Sequence, residues 1–146
     1  MTSTSYTTTV TLTPETAYKF VVVSVNAFGE GRASSNEVSI IAASLPTAPL
    51  ALANDATVTA SGIVGLTWTT PTSDGGSPVI DYQISSKIGA GAYSVLDSGI
   101  TTTSYTASSL TTYVVYTFKV TARNGVGYGA DSSEVDVRAA AIPSVP

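Results

Sequence analysis

The sequence predicts an all-β protein made of short strands, and three observations support this prediction. Apolar and polar side chains alternate with a period of two in several segments, as they do in a strand with one buried face. Turn-rich segments such as TPTSDGGSPV and NGVGYGADSS separate these stretches. The segment AYKFVVVSVNAFGEG at 17–31 returns as VYTFKVTARNGVGYG at 115–129. No segment has helical periodicity, so short strands at this spacing predict a sandwich or a barrel.

Each segment with the alternating pattern is predicted to form a strand. Most of the alternating residues are aromatic or β-branched, the side chains that strands favour. In chain order they are Tyr18, Phe20, Val22 and Ser24; Val64, Leu66 and Trp68; Ile80, Tyr82 and Ile84; Tyr116, Phe118, Val120 and Ala122; and Val135 and Val137.

The internal repeat divides the chain into one complete copy and part of another. From Tyr18 to Tyr116 the spacing is 98 residues, and the register of the repeat holds from Ser5 to Pro49. Residues 45–141 are therefore predicted to form a full copy, the complete module, and residues 1–44 the second half of an earlier copy, the half-module. The final AIPSVP repeats the linker SLPTAP, so residues 142–146 are expected to begin a linker to a further repeat.

The composition argues against several classes of function. The chain of 146 residues has a net charge of −4, six basic residues that lie singly, and neither Cys nor His. Nucleic acid and anionic membranes bind clustered Lys and Arg, so neither partner is expected. No apolar run approaches the roughly 18 to 20 residues that span a bilayer, and the first residues lack the basic and apolar parts of a signal peptide. We therefore expect no membrane segment in this sequence.

A set of residues in the complete module resembles the fibronectin type III family. Trp68 matches a Trp in the family's second strand. The DGGSP turn at 74–78 leads to Tyr82, and in the family a turn of this type leads to a Tyr in the third strand. The family then has a Leu six positions before a Tyr-x-Phe-x-Val-x-Ala-x-Asn pattern. These positions are Leu110, Tyr116, Phe118, Val120, Ala122 and Asn124 in the complete module, and Leu12, Tyr18, Phe20, Val22, Ser24 and Asn26 in the half-module.

The resemblance implies a fibronectin type III, immunoglobulin-like β-sandwich with seven strands in two antiparallel sheets, plus a partial second sandwich. Tyr18 and Tyr116 are then expected to form tyrosine corners, in which the hydroxyl bonds to upstream backbone. The remaining residues to which we assign a structural role are Trp68, Tyr82, Leu12 and Leu110. Asparagines are expected to bond turn backbone and glycines to adopt positive φ, at Asn26, Asn124, Gly29, Gly31, Gly125, Gly127 and Gly129.

The half-module supplies only the last three strands of a seven-stranded sandwich. Its apolar side chains without an opposing layer are Tyr6, Val10, Leu12, Tyr18, Phe20, Val22, Val38 and Ile40. Exposing this set forfeits on the order of 10–20 kcal/mol, at roughly 1.5–3 kcal/mol for each large side chain. A whole domain is stable by only about 5–15 kcal/mol. We therefore expect the half-module to be completed either by upstream chain or by a neighbouring subunit.

The outer face of the sixth strand differs between the two copies. If Tyr116 and Tyr18 point toward the core, alternation along the strand determines which residues point outward. The outer face then carries Lys119, Thr121 and Arg123 in the complete module but Val21, Val23 and Val25 in the half-module. An exposed apolar patch often marks a contact, so the three valines form a candidate assembly face. The alternative is that valine is present only because it favours strands.

The chain lacks the residues that catalysis or metal binding would require. There is no His, and the ten acidic residues are dispersed, so we nominate no catalytic pair, no cofactor site and no metal site. Asp74 offers a single carboxylate where Ca²⁺ takes six or more oxygens, which favours a turn role. GVGYGA lies between predicted strands and not before a helix, which argues against a phosphate loop. We predict that the protein is not an enzyme.

Two hydroxyl-rich segments are candidates for modification. If the protein is extracellular, O-linked glycans are expected on Thr7, Thr8 and Thr9 and on Thr101, Thr102 and Thr103, with strand preference of Thr as the alternative explanation. No Asn-x-Ser/Thr site and no Arg-Gly-Asp is present.

The functional expectation follows from the resemblance and from the incomplete repeat. We expect a structural or adhesive module of an extracellular or cell-surface filament or coat, whose partners are other copies of itself or neighbouring repeats. The alternative is a spacer or receptor-ectodomain module attached to a catalytic or membrane-anchored part.

Overall fold

The computed structural model describes residues 5–33 and 36–140, and all regular elements within these ranges are strands. The half-module contains β1 (Ala17–Phe20), β2 (Val23–Asn26), β3 (Gly29–Ala33) and β4 (Val38–Ile41). The complete module contains β5 (Leu50–Ala60), β6 (Ile63–Thr69), β7 (Asp81–Ile88), β8 (Ser94–Ile100), β9 (Ser104–Ala107), β10 (Val115–Arg123), β11 (Tyr128–Asp131) and β12 (Val135–Arg138). The predicted linker start at 142–146 lies outside the described residues.

The complete module is a sandwich of two antiparallel sheets. One sheet has the order β5-β6-β9, and the other has the order β11-β10-β7-β8, with β12 also paired to β10. The last strand is divided into β11 and β12, so the module has the seven strands that the resemblance implied. The all-β prediction and the sandwich are both confirmed.

The hydrophobic core lies between these two sheets. Alternate residues of β10 point into it, and Phe118 and Val120 are fully buried. Trp68 of β6 packs edge-on against Tyr82 of β7, with 5.4 Å between the ring centroids. The buried apolar side chains among the described residues all belong to the complete module.

The half-module reproduces the last strands of the complete module pair for pair. In β1 and β4, Tyr18 lies opposite Ile40, as Tyr116 lies opposite Val137 in β10 and β12. The hairpin of β2 and β3 repeats the pairing and the irregularity of β10 and β11. Sequence similarity between the copies therefore extends to their local backbone pairing.

Two features of the half-module differ from the prediction of three strands. The described residues 5–13 form no strand, whereas the corresponding β9 pairs with β6 along its whole length. The sixth strand is also broken between β1 and β2, whereas the corresponding β10 is continuous and pairs with β7 from Tyr116 to Arg123. Both differences have one cause, since a strand needs a hydrogen-bonded neighbour and the described part of the half-module has no counterpart of β6 or β7.

Candidate functional site

The half-module presents an open apolar groove of about 760 Å³ where a closed module has its core. Its apolar lining residues include Tyr6, Leu12, Phe20, Val22 and Ile40. Val22 is 76% exposed, whereas its equivalent in the complete module, Val120, is 0% exposed. The groove is therefore the inner face of half a sandwich.

A free backbone edge runs beside the groove. In the complete module, the edge of β10 that faces away from β12 is covered by β7, from Tyr116 opposite Ile88 to Arg123 opposite Asp81. Among the described residues, no strand pairs with the corresponding edge of β1 and β2. This edge offers unpaired N–H and C=O groups, which are a template for another strand.

The three valines of the candidate assembly face do not share one environment. All three are exposed, but Val21 and Val23 line the groove together with Val22, and only Val25 lies outside it. The expected alternation between inner and outer faces is lost because the strand is broken at 21–22. Their role in assembly stays a prediction.

The corresponding positions in the complete module carry a polar network on the outer face. The Nε of Arg123 donates to Oδ1 of Asp81 at 2.9 Å, and a second guanidinium nitrogen donates to Oδ2. Asp81 is 4% exposed, so this pair neutralises a buried carboxylate. Hydrogen bonds from Arg123 to Asp81 and the charge of Asp81 raise the pKa of Arg123.

Two lysines complete this network. The Nζ atoms of Lys119 and Lys87 lie 4.3 Å and 4.6 Å from the centroid of the Tyr93 ring. Lys119 also contacts Asp131 at 2.5 Å. Burial acts to raise the pKa of Asp131, but hydrogen bonds from Lys119 and Thr121 outweigh it, and the pKa is lowered.

A second surface of interest is the junction between the modules, where the linker is hydrogen-bonded to the complete module. The N–H of Ser44 donates to the carbonyl of Gly75 at 2.8 Å, and the N–H of Thr47 donates to the carbonyl of Ser73 at 3.0 Å. The Nδ2 of Asn124 donates to the carbonyls of Ser44 and Asp74, each at 2.7 Å. Asn124 is 2% exposed, so one buried amide joins the linker to two loops.

Two glycines allow the linker backbone to approach these loops. A Cβ at Gly129 would lie 2.1 Å from the carbonyl oxygen of Pro46, and a Cβ at Gly75 would lie 2.2 Å from that of Ser44. Any larger residue at Gly129 or Gly75 would displace the linker.

The expectation of positive φ was only partly right for the turn glycines. Gly29 and Gly127 have φ of 129° and 153°, but Gly31, Gly125 and Gly129 do not adopt positive φ. Gly129 is needed for close approach to Pro46 instead, and Gly31 approaches Ser24 closely.

The half-module also touches the complete module directly. The Oγ of Ser73 donates a hydrogen bond to the carboxylate of Glu15. A Cβ at Gly76 would lie 2.8 Å from a methyl group of Ile41, so these residues are in close contact. The junction thus includes side chains as well as the linker.

The remaining predicted structural residues occupy comparable positions in both copies. The hydroxyl of Tyr116 accepts a hydrogen bond from the N–H of Thr111, and that of Tyr18 accepts one from the N–H of Thr13. Leu110 packs against the core of the complete module, whereas Leu12 lines the open groove.

Five of the six candidate glycosylation residues are exposed, and Thr8 is half-buried. Thr8 accepts a hydrogen bond from the N–H of Val10, and Thr102 donates one to the carbonyl of Ser104. O-glycosylation stays a prediction.

Neither metal chemistry nor a membrane helix is indicated in the described ranges. Residues 5–33 and 36–140 contain no group of three or more Asp or Glu side chains placed to hold a metal ion. The same ranges contain no helix with the length and apolarity to cross a membrane.

The two packed antiparallel sheets define a β-sandwich protein. The family model described as "Fibronectin type III domain" matches residues 47–138. The chain belongs to the fibronectin type III family.

Similar modules occur within longer proteins, and this chain spans less than half the length of each of the following ones. Endoglucanase B of Cellulomonas fimi is 31% identical over 140 residues, covering 92% of this chain and 13% of the relative's length. A crystal structure of consecutive titin domains matches with 26% identity and a TM-score of 0.68, covering 85% of this chain and 41% of the titin chain. A crystal structure of chicken CNTN1 domains matches with 23% identity and a TM-score of 0.58. This match covers 88% of this chain and 44% of the CNTN1 chain, and it shows a shared fold.

Proposed function

We propose that this chain is a structural or adhesive repeat module of an extracellular or cell-surface filament or coat. In this proposal the half-module is completed by a front half, meaning the first strands of a sandwich, supplied by upstream chain or by a neighbouring subunit. The observation that carries the proposal is the half-module itself. It repeats the strand register of the complete module while its groove and its strand edge are open.

The partners in this proposal are other repeats of the same kind. A free strand edge next to an apolar groove fits a segment that adds backbone hydrogen bonds and apolar side chains together. The threonines at 101–103 and 7–9, all but Thr8 exposed, would carry O-linked glycans on such an assembly. No catalytic role is proposed, in keeping with fibronectin type III domains as typically non-catalytic modules.

The junction supports a mechanical role. Hydrogen bonds from Asn124 and close contacts at two glycines hold the linker against the complete module. Modules joined in this way form a stiffer array than modules joined by a free linker. Stiffness is a useful property in a fibre or a spacer.

Two comparisons favour a second candidate function. The similarity to Endoglucanase B extends over 140 residues but covers only 13% of that protein, whose name denotes an enzyme. The structure of titin kinase and its flanking domains is also similar, at 28% identity over 65% of this chain. The alternative is therefore that these modules are spacers or ectodomains attached to a catalytic or membrane-anchored part.

Electron microscopy of the purified natural material, together with its intact mass, tests the proposal. Filaments with a regular axial rise are expected for a fibre or coat. Isolated short rods, on a polypeptide whose mass includes a catalytic or membrane part, would favour the spacer and contradict the filament.

A further inference from the structure

The strand that completes the half-module must match the charges along the free edge of β1 and β2. In the complete module, β7 lies on the equivalent edge, and each of its residues has a defined partner in β10. β1 pairs with β4 in the same register as β10 pairs with β12, and β2 pairs with β3 as β10 pairs with β11. Each residue of β1 and β2 therefore has an equivalent in β10, and the β7 partner of that equivalent can be assigned to it. Two of the transferred pairs are electrostatically unfavourable.

The first mismatch concerns a buried carboxylate. Asp81 at the start of β7 lies opposite Arg123 and is held by two hydrogen bonds from its guanidinium. The position equivalent to Arg123 is Val25, which pairs with Glu30 as Arg123 pairs with Tyr128. A strand like β7 placed on the half-module would bury its aspartate opposite Val25, which offers no cation in place of Arg123, and this is strongly unfavourable.

The second mismatch concerns a pair of lysines. Lys87 near the end of β7 lies opposite Thr117 and reaches Glu134 at 3.4 Å. The position equivalent to Thr117 is Lys19, which is already paired with Glu37 at 2.6 Å. A strand like β7 would place a second lysine directly opposite Lys19, and like charges at such positions are destabilising.

The number of half-sandwiches also argues against exchange between copies of this chain. Residues 1–146 contain two second halves, the half-module and the end of the complete module, but only one front half. Any exchange among identical chains therefore leaves one second half open for each chain. A completing strand taken from residues 45–99 of a second copy would therefore leave another second half open.

We propose that the open edge selects a front half whose third strand is neutral or apolar opposite Val25 and non-basic opposite Lys19, and that it discriminates against the front half of the complete module. This inference rests on the proposed function, since it specifies the partner that completes the half-module. The valines that the sequence places here then match an apolar partner strand. Modules of one array would be kept from exchanging strands with one another.

A fusion that joins residues 45–99 of this chain ahead of Met1 tests the inference. It supplies the half-module with the front half that we expect to be mismatched. Four versions form a double-mutant cycle: the unchanged fusion, Val25→Arg, Asp81→Val in the added copy only, and both changes together. The readout is hydrogen exchange of the amides at 17–26, and the amides of β10 in the untouched complete module serve as the internal control.

We expect Val25→Arg, which restores the ion pair, and Asp81→Val, which removes the buried charge, each to slow exchange at 17–26 by about tenfold or more. The two changes together should give less than the product of their separate effects. In the fusion with Val25→Arg, Lys19→Thr should slow exchange further, because it removes the opposed lysines.

Two outcomes would overturn the inference in distinguishable ways. Equal protection at 17–26 in all four versions would show that the front half completes the half-module without charge selection, so the inference fails while completion stands. Fast exchange at 17–26 in all four versions, with β10 still protected, would mean that a front half does not complete the half-module, and both the inference and the proposed completion fail.

Discussion

The hydroxyl of Tyr18 accepts a hydrogen bond from the backbone N–H of Thr13 at 2.8 Å. Tyr116 makes the same bond to the N–H of Thr111 at 3.0 Å, at the equivalent place in the complete module. The hydrogen bonds from Thr13 lower the pKa of Tyr18. The half-module therefore has the local turn of a closed module without the core that normally lies beneath it.

Replacing each tyrosine in turn distinguishes the effect of its hydroxyl's hydrogen bond in the closed complete module from the effect of the same bond in the open half-module. Tyr116→Phe should lower the stability of the complete module by about 1–2 kcal/mol, because a partly buried N–H loses its acceptor. Tyr18→Phe should leave that stability unchanged. Denaturant unfolding followed by the fluorescence of Trp68, the only tryptophan, reports on the complete module alone. Equal shifts of the two midpoints would contradict this account.

Gly129→Ala should release the linker from the complete module. Its Cβ would lie 2.1 Å from the carbonyl oxygen of Pro46, so the linker has to move, at a cost of roughly 1–3 kcal/mol. Exchange of the Thr47 amide should become faster in this variant. Gly125→Ala is the matched control, since its Cβ would meet only the hydroxyl of Ser77 at 3.1 Å. A Gly129→Ala variant with unchanged exchange at Thr47 would refute the proposed close approach.

Asn124→Ala should weaken the junction and the complete module together. The change removes the donor to the carbonyls of Ser44 and Asp74, and leaving such part-buried groups unpaired costs about 1 kcal/mol or more. Asn26→Ala, at the equivalent place in the half-module, should not change the unfolding midpoint reported by Trp68. The assignment fails if Asn124→Ala leaves that midpoint unchanged as well.

Acid should destabilise the complete module through Asp131. The pKa of this carboxyl is lowered in the folded protein despite burial, because Lys119 and Thr121 bond to the charged form. Its contribution is present above the pKa of this carboxyl in the unfolded chain, about 4, and is lost as the pH falls through the lower folded pKa. The urea midpoint should therefore fall between about pH 5 and pH 2.

The variant Asp131→Asn should reduce this dependence on pH. Glu30→Gln, an exposed position in the half-module, is the control and should keep the full slope. If the slope for Asp131→Asn matches that of the unchanged protein, Asp131 is not responsible for the acid effect.

The parts of the fold that depend on local pattern could be predicted from the sequence, and the parts that depend on distant partners could not. Alternation identified the core residues of β10, such as Phe118, because one buried face needs only a period of two. The break at 21–22 was missed because it results from a neighbouring strand that the half-module lacks. The linker contact of Asn124 joins residues 80 positions apart, and no local pattern encodes it.

The central claim is that the described part of the half-module is an open half-sandwich that needs further strands to close it. Hydrogen exchange of this chain as a dilute monomer, comparing the amides of 17–26 with those of 115–124, tests it most directly. We predict exchange at 115–124 limited by global unfolding of the complete module, and exchange at 17–26 faster by at least about a hundredfold. Equal protection of the two segments in a monomer would show that the half-module is closed by itself, and would contradict the account.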